Sequence, residues 1–282
     1  MDELLFVDST FEKDNTSRYK LSIQLCLDGF SFSILSSENK CLALFQSKKL
    51  NSETDNGSID VLKDGIRNCD YLNLTYNHVS VIWLTKKACL IPSELFSDEL
   101  AVDSFQLCHP LLKAEILSWN ELKEMNTYIV YALPSTLPDF IESQFPGADI
   151  SHQTLTFYRQ VLNQSIDRKH PNVFVQIYDQ FFDVFIPDKG QKHFANSFSF
   201  KDETDMVYFI LNIYKHQKLN TEYSQLHLSG KIDETSKAYQ ILKRYIKDIV
   251  IDNIPNEMFL KSTVSNSEYN QFTKLLNTSL CE

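Results

Sequence analysis

The chain has 282 residues, of which 43% are hydrophobic, and its formal net charge is −10 at pH 7. It contains 6 glycines in 282 residues, about 2% against the roughly 7% of ordinary proteins. Phosphate-binding loops need glycine because its backbone approaches a ligand closely and adopts positive φ. The composition therefore argues against a glycine-dependent nucleotide enzyme. The acidic charge and the scattered basic residues argue against nucleic-acid binding.

The sequence carries no sign of membrane insertion. The longest fully apolar runs, such as residues 81–84, are far shorter than the roughly 18 residues that a membrane span needs. The chain starts with Met-Asp-Glu rather than with a basic signal sequence. Its six cysteines contain no C-x-x-C and its seven histidines no His-x-x-x-His, so we expect reduced thiols and no metal site. We predict a cytoplasmic protein without a membrane span.

The first clear element is a β-hairpin over residues 21–34. Apolar residues alternate with polar ones on both sides of Asp28-Gly29, and Asp-Gly between alternating runs is a strong hairpin signal. A second turn at residues 36–40 leads to a third strand over 41–46. A helix over 59–70 follows, with apolar residues at helical spacing.

The middle of the chain predicts strands over 78–84, 88–91 and 126–132, the last stopped by Pro134. Helices are predicted over about 136–144 and over 153–165, where Leu155, Tyr158 and Leu162 recur at i, i+3 and i+7. The segment at about 92–125 fits none of these core elements. We interpret it as an insert and as a candidate partner surface.

The second half repeats the strand–turn–strand pattern after a charged, proline-containing boundary at 166–172. Further elements are predicted in this order: strands over 173–177, 182–186 and 192–200, a helix over 202–216, a strand over 224–229, a helix over 234–247, a strand over 248–252 and a terminal helix near 268–278.

The two hairpins align at a constant offset of 152 residues. Gln24 meets Gln176, Phe30 meets Phe182 and Ile34 meets Ile186, with the alternation in phase throughout. The alternative is that any two buried hairpins look alike. The shared order of elements favours two homologous subdomains, which we place at residues 1–165 and 166–282.

Two copies of a three-stranded antiparallel start, each followed by a helix and a further strand, resemble the actin/hexokinase/Hsp70 superfamily. The chain also resembles a Bacteroidota family, domain of unknown function 3822, whose fold is actin-like. The resemblance implies an α/β fold with duplicated actin-like (ribonuclease H-like) subdomains, mixed sheets that open with antiparallel hairpins, and flanking helices. The segments that carry it are Leu21–Ile34, Val79–Phe96, Tyr128–Pro134, Leu226–Tyr245 and Phe272–Glu282.

The resemblance implies a phosphate motif in each hairpin, formed by Asp-x-Gly and a small hydroxyl residue. In the first hairpin Asp28 and Gly29 are adjacent and Phe30 follows, so the motif is out of register. The second hairpin reads Asp179-Gln180-Phe181-Phe182-Asp183, with no glycine and with phenylalanines where phosphate would approach the backbone. The alternatives are that Asp28-Gly29 is an ordinary tight turn and that Asp179 and Asp183 bind a cation.

The resemblance also implies an adenosine-binding turn, formed by a hydrophobic strand, a Ser or Thr and two glycines. Residues 226–231 keep the strand, Ser229 and Gly230, but Lys231 replaces the second glycine. We expect the β-carbon of Lys231 to intrude on the base or ribose site. The alternative is that Ser229-Gly230 is a strand-to-helix turn kept for its geometry.

The departures from the phosphate and adenosine motifs predict an actin-like protein that lacks ATPase activity and acts through an unknown protein partner. No cofactor is expected. The alternative is a diverged nucleotide-binding ATPase or small-molecule kinase with residual ATP and magnesium binding. In that case the nucleotide would be bound by Asp28, Gly29, Asp179, Ser229 and Gly230.

Overall fold

The structure is a computed structural model. It describes residues 4–26, 29–47, 57–163, 171–187 and 193–252, together with positions 258, 272, 275 and 276. Along the chain the described residues fall into two compact units, and the change from the first to the second comes between Thr156 and Phe157. Among the described residues no helix is long and apolar enough to cross a membrane.

The first unit contains nine strands and three helices, and a fourth helix begins in it. In chain order they are β1 (Leu4–Val7), β2 (Lys20–Cys26), β3 (Gly29–Leu35), β4 (Cys41–Gln46), α1 (Gly57–Asn68), β5 (His78–Trp83), β6 (Ala88–Pro92), α2 (Asp98–Cys108), β7 (Glu115–Leu122), β8 (Thr127–Pro134), α3 (Leu137–Gln144), β9 (Asp149–His152) and α4 (Gln153–Asn163).

The main sheet of the first unit has six strands in the order β1-β4-β3-β2-β5-β9. The first four strands pair antiparallel, and β5 and β9 add in parallel. All seven residues of β3 are buried. A β-carbon built on Gly65 of α1 would lie 2.2 Å from the Phe30 ring, so a glycine lets this helix pack closely on β3.

The predicted insert at about 92–125 contributes α2 and β7 to a layered region whose separate three-stranded antiparallel sheet has the order β6-β8-β7. The other two strands of this sheet, β6 and β8, were predicted as core strands outside the insert. Helix α2 covers one face of this sheet through Ala101 and Phe105, which pack on Ile91, Val130 and Ala132. Ser97 begins the helix because its side chain accepts a hydrogen bond from the Leu100 amide. The insert is therefore a small layered module with its own core, and it extends over residues 88–134.

The second unit contains five strands and two helices among its described residues. In chain order they are β10 (Val173–Ile177), β11 (Phe181–Ile186), β12 (Phe194–Ser199), α5 (Glu203–His216), β13 (Leu226–Gly230), α6 (Lys237–Leu242) and β14 (Ile249–Ile251). The strands form one sheet in the order β12-β11-β10-β13-β14, and the two helices cover the face that carries Val175, Val184 and Leu228.

The two main sheets share one topology, which confirms the predicted fold class. The order β4-β3-β2-β5-β9 matches β12-β11-β10-β13-β14, with two antiparallel pairings followed by two parallel ones in each. The hairpin registers also agree at the offset of 152 residues. Gln24 pairs with Ser31 in the first sheet, and Gln176 pairs with Asp183 in the second.

Most predicted elements are found, with small shifts at their ends. The prediction is wrong for the helix over 234–247, of which only Lys237–Leu242 is an α-helix. Strands β1, β7 and β9 and helix α2 have no counterpart in the predictions. The predicted boundary at 165–166 lies outside the described residues, and so does the terminal helix near 268–278 except for positions 272, 275 and 276.

Candidate functional site

The second unit brings three of the five predicted site residues together. Strands β10 and β13 are parallel neighbours, and Ile177 pairs with Gly230 at their carboxyl ends. The hairpin turn with Asp179 follows β10 directly, while Ser229 and Gly230 close β13. Because carboxyl ends of adjacent parallel strands lie at one edge of a sheet, the two turns meet there.

The close packing of β13 against β10 at this edge of the sheet requires Gly230. Its φ is +89°, and a β-carbon at this position would lie 2.2 Å from the carbonyl oxygen of Ile177. The same carbonyl oxygen accepts a hydrogen bond of 3.0 Å from the Lys231 amide. The glycine thus permits a left-handed turn that closes tightly on β10.

The hydroxyl of Ser229 is turned into the sheet. Its Oγ donates to Gln176 Oε1 at 2.7 Å and lies 3.3 Å from the carbonyl oxygen of Val175. Both Ser229 and Gln176 are buried. Because a serine hydroxyl has one proton to donate, its donor capacity is used within the protein.

Asp179 forms an ion pair with Lys231. The Lys231 Nζ lies 2.5 Å from Asp179 Oδ1, and the two side chains are 24% and 40% exposed. The lysine that stands in place of the second glycine therefore places its ammonium group on the carboxylate of the hairpin turn. This contact joins the two turns that the resemblance connects with phosphate and adenosine.

The two phenylalanines of the second hairpin have different environments. The Phe181 ring stacks on Tyr178 with 4.5 Å between centroids, and the Tyr178 amide donates to the Phe181 carbonyl across the turn. Phe182 is fully buried in the core beneath the helices, where it stacks on Phe198. Only Phe181 of this pair therefore lies at the turn.

A line of four polar side chains, three of them buried, crosses the second sheet and was not predicted as a unit from the sequence. Register pairs Ser197 with Asp183, Asp183 with Gln176 and Gln176 with Ser229. Residues that are directly opposite in register share one face, so all four lie on the face opposite α5 and α6. The sequence signal for this polar line was the glutamine at the same position in both hairpins, Gln24 and Gln176.

Asp183 lies within this polar line and is fully buried. The Ser197 hydroxyl donates to Asp183 Oδ1 at 2.5 Å. Burial raises the pKa of Tyr178 well above its usual value, and the negative charge of Asp183 and a hydrogen bond to that carboxylate raise it further. Asp183 is thus bound within the protein interior. Among the described residues, no group of three or more His, Cys, Asp or Glu side chains is placed to hold a metal ion.

The structure describes both strands of the first hairpin, β2 and β3, but not residues 27 and 28 of the turn between them. Gly29 pairs with Cys26, whose thiol lies 3.1 Å from the Gly29 carbonyl oxygen, whereas Asp28 lies outside the described residues. Phe30, which stands where the motif has a hydroxyl residue, is buried against Gly65 and Phe45. Its amide donates to Ser47 Oγ at 3.0 Å.

The repeated five-strand topology and the flanking helices define an actin-like ATPase fold. The chain belongs to the family described as protein of unknown function DUF3822, whose profile matches residues 8–249. A comparison with curated proteins finds no match.

Solved structures that share this fold include the following two. One is a protein of Bacteroides thetaiotaomicron described as having an actin-like ATPase fold and unknown function. It has a TM-score of 0.75 and 27% identity, over 86% of this chain and 94% of that one. The other is described as the PilM–PilN type IV pilus biogenesis complex. It has a TM-score of 0.62 and 10% identity, over 93% of this chain and 97% of that one. The second likeness, at this identity, concerns the fold alone.

Proposed function

We propose that this protein is an actin-like protein without ATPase activity and that it works by binding another protein. The observation that carries the proposal is the ion pair between Lys231 and Asp179. In the superfamily that the chain resembles, the hairpin aspartate positions a metal ion and water. Here a lysine of the same unit neutralises that aspartate.

The residues at this edge of the sheet do not fit a nucleotide phosphate with its magnesium ion. Magnesium is bound through carboxylate oxygens. A cation on Asp179 would lie beside the ammonium group of Lys231, whose positive charge repels it. Phosphate is bound by free backbone amides, whereas the amide of Lys231 is bonded to Ile177. The Ser229 hydroxyl is likewise bonded to Gln176.

Two further observations support a role in binding proteins. The insert over residues 88–134 is a separate layered module outside the repeated sheets. The PilM–PilN structure, which shares the fold, is described as a complex in type IV pilus biogenesis. The likeness of fold supports an assembly role by analogy alone.

The five cysteines that the structure describes are all free thiols. Free thiols are typical of a reducing compartment, and the part of the chain that the structure describes has no membrane-spanning helix. We therefore extend the proposal to a cytoplasmic location.

Thermal unfolding with and without Mg-ATP tests the loss of nucleotide binding. A ligand that binds only the folded state, at free concentration c, stabilises it by RT ln(1 + c/Kd) and so raises the unfolding temperature. Wild type is therefore expected to show no shift at millimolar Mg-ATP. Lys231→Ala tests whether the lysine blocks the site. Lys247→Ala is its matched control, because Lys247 forms an exposed ion pair with Glu222 in the same unit. A shift in wild type would contradict the proposal.

The second candidate function is a diverged nucleotide-binding ATPase or small-molecule kinase. It is favoured by the position of Asp179, Ser229 and Gly230, which the fold does bring to one edge of the sheet. This candidate predicts Mg-ATP binding by wild type that is lost in Asp28→Ala and in Asp179→Asn. The two proposals therefore give opposite results in one titration.

A further inference from the structure

Exposed apolar side chains are concentrated in the insert. Eleven large hydrophobic residues of the described chain are exposed, and seven of them lie between positions 95 and 119. These seven are Leu95, Leu100, Val102, Leu107, Leu112, Ile116 and Trp119. Single exposed apolar residues are ordinary, whereas a contiguous exposed patch marks an interaction surface. Ile116 lies on the sheet face opposite Trp119, so the candidate surface is the one formed by α2 and Trp119.

Helix α2 presents part of this surface as a stripe. Ala101 and Phe105 face the sheet, while Leu100 and Leu107 are 50% and 89% exposed. Leu100 and Leu107 are seven residues apart, a spacing that places them along one side of the helix, with the acidic Asp103 between them. The two leucines are about 10 Å apart along the axis, which is seven residues at 1.5 Å each.

An aromatic cluster stands at the start of α2. Phe96, directly before the capping residue, stacks on Tyr128 with 3.9 Å between centroids and meets Trp119 edge-on at 5.4 Å. Trp119 remains 39% exposed within this cluster. A tryptophan that packs edge-on against one other ring, here Phe96, and is partly open to solvent is a typical anchor of a protein interface.

The surroundings of this surface are acidic. Residues 88–112 contain Glu94, Asp98, Glu99 and Asp103 but no lysine or arginine. All four carboxylates are exposed. An apolar stripe bordered by acidic groups is complementary to an apolar stripe bordered by basic groups.

We propose that α2 and the adjoining Trp119 bind a basic amphipathic helix of a different protein. The leucines two turns apart match the i and i+7 residues of a facing helix, as in helix-in-groove recognition. The acidic border disfavours an anionic membrane, and it disfavours a second copy of this chain because both copies carry the same charges. This inference rests on the proposed role in protein binding and names the chemistry of the partner.

The test uses the purified full chain and a labelled synthetic peptide with leucines at i, i+3, i+4 and i+7 and lysines elsewhere. Fluorescence anisotropy is expected to show micromolar binding that weakens at high salt. Leu100→Ser with Leu107→Ser should weaken binding by about tenfold or more. Glu99→Gln with Asp103→Asn should weaken it and reduce its salt dependence. All four side chains are exposed, so the fold is expected to persist.

Two controls make the result specific. Tyr208→Ser with Tyr245→Ser removes two exposed apolar side chains from the second unit and should leave binding unchanged. A scrambled peptide of the same composition should bind at least about tenfold more weakly, since it lacks the apolar stripe. Equal binding of both peptides, or unchanged binding by the leucine variant, would overturn the proposal.

Sedimentation distinguishes the other possible occupants. A wild-type dimer that the Leu100→Ser, Leu107→Ser variant dissociates would assign the surface to a second copy and overturn the inference. Hydrolysis of Mg-ATP by wild type would contradict the proposed function while leaving the peptide result intact. Conversely, absence of peptide binding together with absence of nucleotide binding would overturn this inference alone.

Discussion

The ammonium group of Lys231 lies 2.5 Å from a carboxylate oxygen of Asp179, and this contact joins two turns that are 52 residues apart in the chain. The contact depends on the parallel pairing of β10 with β13, which brings both turns to one edge of the sheet. The ammonium group of Lys231 therefore places a positive charge beside the Asp179 carboxylate of the second hairpin.

A double-mutant cycle of Lys231→Ala and Asp179→Asn is expected to give a small coupling free energy. Both side chains are partly exposed, so solvent screens the pair and the expected coupling is about 0.2–1 kcal/mol. Urea unfolding of the four proteins at low and high salt measures it. A coupling that exceeds this range and is independent of salt would mean that the pair is desolvated.

Gly230→Ala is expected to destabilise the second unit severely. The new β-carbon would meet the Ile177 carbonyl oxygen at 2.2 Å at a φ of +89°, which combines strain with overpacking and costs about 3 kcal/mol or more. Gly147→Ala is the matched control. Its φ is +78° with no heavy atom within 4 Å of the added carbon, so it carries the backbone strain alone, about 1–2 kcal/mol.

Urea unfolding separates the two glycine variants. The Gly230 variant should lose clearly more free energy of unfolding than the Gly147 variant. Similar losses for both would contradict the close contact of Gly230 with β10.

Ser197→Ala tests the polar line of the second sheet. It removes the hydroxyl that donates to Asp183 and leaves a buried carboxylate with one donor fewer, so the expected cost is about 1.5–3 kcal/mol. Ser197→Thr keeps the hydroxyl and serves as the control, with a smaller expected loss. Equal losses in the two variants would show that the hydrogen bond is not the cause.

Part of the fold could be predicted because its signals are local. Alternation around residues 21–34 and 173–186 predicted both hairpins, and the offset of 152 predicted that they share a register. Strand β7 was missed because residues 92–125 were interpreted as an insert and assigned to no element, although Leu117 and Trp119 alternate with Ser118 and Asn120. The Asn120 side chain hydrogen-bonds the backbone of Ile150 and His152 in β9. No local sequence pattern indicates this contact.

The sequence named Asp179, Ser229 and Gly230 as candidate residues but did not indicate the contact between Asp179 and Lys231. Lys231 was identified as the replacement of a glycine, and we expected its β-carbon to intrude. The structure adds that its ammonium group reaches Asp179, which follows from the register of β10 with β13 rather than from the sequence near either residue. Asp183 was considered as a cation ligand, and burial against Ser197 instead places it in the interior.

The pKa of Tyr178 predicts a loss of stability at high pH. Burial and the charge of Asp183 hold this pKa well above 10.0 in the folded protein, so the folded state retains a proton that the unfolded state releases above pH 10. The contribution is complete below pH 10 and decreases as the pH rises towards the folded pKa, by about 1.4 kcal/mol per pH unit.

Comparison with Tyr178→Phe isolates this effect from other groups that titrate in the same range. Wild type should lose free energy of unfolding more steeply than the variant between pH 10 and 11. Parallel curves would contradict the raised pKa.

The central claim, that the actin-like fold persists here without nucleotide chemistry, is tested most directly by calorimetric titration of the full chain with Mg-ATP, followed by measurement of phosphate release. The ion pair of Lys231 with Asp179 and the internal bonds of Ser229 predict neither heat of binding nor phosphate release. Micromolar binding of Mg-ATP that is lost in Asp179→Asn would contradict the account.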